Sequence, residues 1–159
     1  MKLAQFAKSV VHPARSATGA VLSLLAARLV GLPEVWWAPI STLVVMQSNL
    51  GPLTIAWQRW AGTALGSASG ALLATCFGSG VVAYGCGVFG VGLVCAALQL
   101  GVAASRFAAI ALTIVMLVAH AGQVWATAFH RFLEVSLGIA VGLVIAVLWP
   151  EPKGTDGSK

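Results

Sequence analysis

Charged residues are scarce in this chain, so each one invites a chemical reading. Two arginines lead. Arg59, Gly62, Gly66 and Gly70 are spaced three and four apart and share one helical face. Arg131, Glu134, Gly138 and Gly142 repeat that spacing. A guanidinium offsets the cost of bringing a carboxylate into a low-dielectric setting. The pair therefore predicts positive rings or gates on an anion path, one at each end of a bilayer. The competing reading is snorkelling, in which each side chain simply reaches the interface from a helix end. The glycines read first as packing faces, because small residues at this spacing let helix backbones approach closely in lipid.

The remaining polar residues add less. Arg28 lies about a turn from the end of the first apolar run, where an unpartnered cation in hydrocarbon costs about 2–3 kcal/mol or more. Glu34 and Glu134 are expected on the same side and are its candidate ion-pair partners; a pore role is the other reading. Gln47 either lines the path or caps a short helix, and Trp37 could contact an aromatic ring of the cargo. His120 and His130 titrate in a range that allows proton coupling, or are merely solvated. Cys76, Cys86 and Cys95 sit in apolar surroundings without a metal-binding spacing and read as small packing residues. There is no nucleophile–base set, phosphate loop or metal motif. No enzyme activity, cofactor or metal is expected.

The elements that must hold these residues are membrane helices. The 159 residues are 59% hydrophobic and 8% charged, against about 25% charged in a soluble domain. Such a chain cannot cover a water-facing surface. Its apolar residues come in blocks near the length that crosses about 30 Å of hydrocarbon. They do not alternate as barrel strands do, so helices must satisfy the backbone. The net charge of +5 is spread along the chain, which gives no footprint for nucleic acid.

The expected fold is an all-α integral membrane protein with six transmembrane helices. Residues 1–150 form the membrane domain. Residues up to Ala14 lie along the bilayer surface until Pro13 breaks them. Crossings then run from about Arg15 to Gly31, Pro33 to Asn49, Trp57 to Phe77, Val81 to Leu100, Ala103 to Ala121 and Arg131 to Trp149. Arg28, and the lack of a cleavage site before a polar mature domain, argue against a signal peptide. Residues 151–159 form a polar tail. With a cytoplasmic N-terminus, Lys2, Lys8, Arg15, Arg59, Arg106, Lys153 and Lys159 fall on the cytoplasmic side. Only Arg28 and Arg131 fall on the other, in keeping with the positive-inside rule. Trp36, Trp37 and Trp125 mark one interface and Trp57, Trp60 and Trp149 the other.

Shifting the chain by about 70 residues superposes its halves. Val21, Ala26, Ala27 and Gly31 meet Val91, Ala96, Ala97 and Gly101, while Ala38, Ile40, Val45 and Met46 meet Ala108, Ile110, Val115 and Met116. Two residues of slip then bring Arg59, Leu65, Gly66 and Gly70 onto Arg131, Leu137, Gly138 and Gly142. An odd number of crossings per repeat makes the copies inverted, about 14–77 and 81–149. This is a common plan for transporters, and short paired segments such as the second and fifth point to a binding site.

Trp37 opening a short helix, Thr42 and Gln47 within it, then Gly51, Arg59, Gly62, Thr63 and Gly66 resemble the fusaric acid resistance family of the aromatic acid exporter superfamily. Plant aluminium-activated malate transporters look like distant members. Arg131, Gly138 and the run ending at Trp149–Pro150 are similar to the end of the same module. The resemblance implies a six-helix module, export or conduction of organic anions, and paired modules. Larger members follow the module with a soluble region or a second module, whereas this chain stops soon after Pro150; a homodimer is therefore expected. The leading expectation is an inner-membrane transporter or channel for small organic anions, with export of aromatic carboxylic acids as a candidate activity and both termini cytoplasmic. The alternative is an assembly or scaffold subunit that transports nothing. A third reading is ion-coupled movement of an uncharged molecule through Glu134.

Overall fold

The computed structural model describes residues 2–118 and 123–150, and those residues form six α-helices and no strand. The helices are α1 (Lys2–Val30), α2 (Trp37–Met46), α3 (Pro52–Phe77), α4 (Val81–Ala97), α5 (Val102–Leu117) and α6 (Val124–Leu148). All six expected segments are helical, but their ends differ. Pro13 does not break α1, which runs through it; a proline removes one hydrogen bond of the ladder, and a helix of 29 residues retains the rest. Pro39 falls in the first turn of α2, where its missing N–H has no intrahelical partner in any case. α3 begins at Pro52 rather than Trp57. Gly51 precedes it at φ +79°, a left-handed backbone natural to glycine, and Pro52 occupies the first turn, where its fixed φ favours helix. α6 begins at Val124, which leaves Arg131 two turns inside the helix instead of at its end.

Two close helix pairs form the frame. The glycine face of α3 lies against α5. A Cβ on Gly62 would meet the backbone carbonyl of Ala104, and one on Gly66 would meet the carbonyl and Cα of Ala108. The face of α6 lies in the same way against α2: a Cβ on Gly138 would meet the carbonyl of Ala38, and Gly142 faces Thr42 and Val45. Thr42 ties this second pair together by donating to the Gly138 carbonyl at 2.8 Å and to its own Ala38 carbonyl at 3.1 Å. All five glycines of the two stripes are therefore occupied by contacts within the chain. α3 and α6 also pack on each other and run antiparallel: Ala71 clusters with Ala128, and Trp60 packs on Phe132 at 5.3 Å between ring centroids.

The outer surface is apolar. Leu29, Val81, Val82, Phe89, Leu93, Val147 and Leu148 are exposed. Helix α6 is long and apolar enough, by length and composition, to cross a membrane; α2, α4 and α5 are shorter apolar helices. Cys95 is buried, whereas Cys76 and Cys86 are exposed, so only one of the three cysteines packs in the core.

The backbone approach at the two glycines predicts a contrast. Gly66→Ala and Gly138→Ala should each destabilise by about 1–3 kcal/mol, the usual range for overpacking. Gly85→Ala on α4, where a Cβ meets nothing within 4 Å, should be neutral or stabilise by up to about 1 kcal/mol. Thermal melting of the purified variants compares them.

Candidate functional site: two buried guanidiniums on one turn of α2

Arg59 from α3 and Arg131 from α6 both converge on α2. Arg59 donates from Nη2 to Ser41 Oγ at 3.1 Å, and the guanidinium of Arg131 lies over the Trp37 ring at 3.3 Å. Trp37 and Ser41 are four residues apart and share one helical face. The Trp60–Phe132 contact puts the neighbouring Arg59 and Arg131 at nearly the same level of the antiparallel pair. The expected placement at opposite ends is thus replaced by a shared level inside the bundle. An arginine near each helix start was read from a chain assumed to begin its crossings at Trp57 and Arg131. The longer helices draw both side chains inward. Neither snorkels, since they are 5% and 3% exposed.

Trp37 organises the cluster. Its carbonyl accepts from Ser41 Oγ at 2.8 Å, its Nε1 donates to Glu34 Oε2 at 2.6 Å, and its ring face carries Arg131. That face is occupied by the guanidinium. Glu34 in turn donates its backbone N–H to Glu134 Oε1 at 2.8 Å. On the other side Arg59 lies over the Phe107 ring at 4.7 Å. A desolvated cation over an aromatic face is held by about 2 kcal/mol, which helps offset the cost of burying each charge.

The bonding is incomplete. Arg59 Nε, Arg131 Nε and Nη1, and Glu134 Oε2 are buried with no hydrogen-bond partner. Each such group costs about 1–3 kcal/mol, more when charged, unless something else occupies the position. Arg131 and Glu134 border a cavity of about 280 Å³ that Glu34, Thr127 and His130 also line and that reaches Gln123 at the start of α6. This volume lies just below the range for ligand pockets, about 300–1,000 Å³.

Other expected residues lie elsewhere. Arg28 is exposed in the last turn of α1, and the two glutamates expected to pair with it bond instead to Trp37 and to each other. Gln47 is exposed at the C-cap of α2, with its N–H on the Leu43 carbonyl, at the opposite end of that helix from Trp37. His130 is at the cavity, and His120 lies outside the described residues. Ser41, Glu34 and Phe107 were missing from the expected site. Ser41 could have been found from its i+4 spacing to Trp37, and Phe107 from the 70-residue shift that carries Trp37 onto it.

An all-helical protein that buries two cations against aromatic rings beside a small polar cavity defines a class built to hold charge away from water. The pattern of the fusaric acid resistance protein-like family matches residues 21–145, well over half of the chain, and the protein belongs to that family. Membership suggests a membrane protein with a role in transport or resistance. Neither the curated proteins nor the solved structures include a match to it.

The role of Trp37 predicts unequal losses. Trp37→Phe keeps a ring under Arg131 but deletes the donor to Glu34, which should lower stability by about 1.5–3 kcal/mol. Trp37→Leu removes the ring as well and should cost about 2 kcal/mol more. Chemical unfolding in mild detergent measures both; equal losses would show that the ring face holds nothing.

Proposed function

We propose that this protein is a multi-pass inner-membrane transporter or channel for small organic anions, with aromatic carboxylates as the preferred cargo and export as the direction. The observation that carries this reading is the pair of buried guanidiniums at one level of the bundle, each with at least one buried N–H that no protein atom accepts. A carboxylate supplies the acceptors these groups lack and meets guanidinium N–H groups in paired fashion. Cargo would be carried unchanged, without cofactor or metal.

The architecture supports the same reading. Gly66 against the Ala108 carbonyl and Gly138 against the Ala38 carbonyl are equivalent contacts under the 70-residue shift, as are Arg59 over Phe107 and Arg131 over Trp37. This exchange of partners between halves is what two inverted three-helix repeats, about 14–77 and 81–149 within a 1–150 membrane domain, would produce. The short α2 and α5, at 10 and 16 residues, rise about 15 and 24 Å, less than a bilayer core. Paired short segments near a repeat interface favour a substrate path there. The exposed apolar side chains would face lipid. The arrangement of Lys and Arg favours cytoplasmic termini, and a homodimer would supply the paired module. The alternative scaffold role explains the glycine faces as helix packing but leaves the bare guanidinium nitrogens without a purpose.

Flux tests the proposal. In liposomes carrying the purified protein, benzoate entry should exceed that of protein-free vesicles. Arg59→Gln and Arg131→Gln should each reduce it about tenfold or more, the loss of one charge-assisted hydrogen bond. Arg106→Gln, at an exposed position, should leave it unchanged. Equal flux in all variants, with the folded protein recovered, would remove the arginines from the mechanism.

A further inference from the structure

Glu134 has no part in the frame. Its side chain is fully buried, yet only Oε1 is bonded, to the Glu34 N–H at 2.8 Å, while Oε2 has no partner. It stands four residues before Gly138. The corresponding residue of α3, four before Gly66, is Gly62, which packs directly on the α5 backbone. The helix packing therefore needs no carboxylate at this position. Three residues away, Arg131 presents its own bare Nε and Nη1, and both side chains border the cavity of about 280 Å³.

We propose that Glu134 is an acid-operated gate on the anion site: an anion occupies the cavity beside Arg131 only when Glu134 carries a proton. This rests on the reading of Arg131 as an anion contact. When ionised, Glu134 offsets the positive charge of Arg131 and repels a second anion at short range in a poorly screening interior. When protonated, it does neither, and its O–H becomes a donor that can point at the bound carboxylate. Each anion bound is then accompanied by one proton taken up on Oε2. Cargo affinity and proton affinity rise together, as linkage requires.

Among the described residues, the charged groups around Glu134 are few. Glu34 comes from the turn before α2 and Arg131 from its own helix; Arg59 on α3 faces Arg131. His130 lines the same cavity, and Val118, the C-cap of α5, borders it as well. Glu34 is committed to the Trp37 indole through Oε2. His130 brings an imidazole to the same cavity, so it must be separated by experiment.

The experiment measures benzoate flux into proteoliposomes with equal pH on both sides, stepped from about 8 to about 5, a range in which benzoate stays mostly ionised while a carboxyl or imidazole can titrate. Background flux through protein-free vesicles is subtracted. The native protein should gain about tenfold in flux as the pH falls, the change expected when one charge-assisted contact becomes available. Glu134→Gln, neutral at every pH, should hold the high flux throughout. Glu134→Asp and His130→Gln should both retain the rise. A folded Glu134→Gln protein that keeps the native pH profile, or that carries no benzoate at all, overturns the gate and leaves the anion reading standing. A His130→Gln protein with a flat profile moves the gate to the histidine and also overturns it. A native protein with no flux above background at any pH overturns both.

Discussion

The indole of Trp37 is the contact on which the site depends. Two guanidiniums and two carboxylates are gathered within a few turns of a bundle that is otherwise apolar, and bare burial of any one of them would be costly. Trp37 makes the gathering tolerable through three separate features of one side chain and its backbone. Its face accepts a cation, its N–H steadies Glu34, and its carbonyl aims the Ser41 hydroxyl that receives Arg59. Glu34 then positions Glu134 through its own backbone N–H. A rigid ring achieves this with little conformational entropy to lose, whereas a longer polar side chain would need several rotamers fixed at once.

That arrangement requires α2 to approach α6 very closely, and the glycines make the approach possible. With Gly138 against the Ala38 carbonyl, the backbones meet where any larger residue would collide. Thr42 bridges the same contact by serving two carbonyls with one hydroxyl. Gly66 does for α5 what Gly138 does for α2, and Arg59 then meets Phe107 much as Arg131 meets Trp37. The two halves share a packing plan and differ in chemistry. Ser41 and Glu134 have apolar or glycine counterparts in the other half, Ala111 and Gly62. The polar character is thus concentrated on one side of the common frame, beside the cavity.

Shape and charge together suit a small anion better than a large or neutral one. The open bonding positions are mostly guanidinium N–H groups, which accept nothing and favour oxygen acceptors. The cavity is modest in volume and bordered by side chains that titrate. An interior of this kind responds strongly to the gain or loss of a single proton, because a low-dielectric setting screens the change poorly.

The composition and the periodic glycines were enough to read an all-helical chain with six segments and to single out Arg59, Arg131 and Glu134. Those signals are local: apolar block length, three-and-four spacing, and the rarity of charge. The same local signals put Arg28 about a turn from a helix end and offered a cap for Gln47, and both lie exposed at helix ends, but they paired Arg28 with Glu34 and Glu134, which bond elsewhere. They also set the two arginines far apart, because spacing along one helix says nothing about the level at which another helix crosses it. Which ring lies under which guanidinium, that Glu34 turns its N–H toward Glu134, and that three guanidinium nitrogens and one carboxylate oxygen remain unbonded were decided only when α2 was packed between α3 and α6. The longest of these relations joins groups 100 residues apart in sequence, and the close contact of glycine against backbone carbonyl is the physical constraint that sets them.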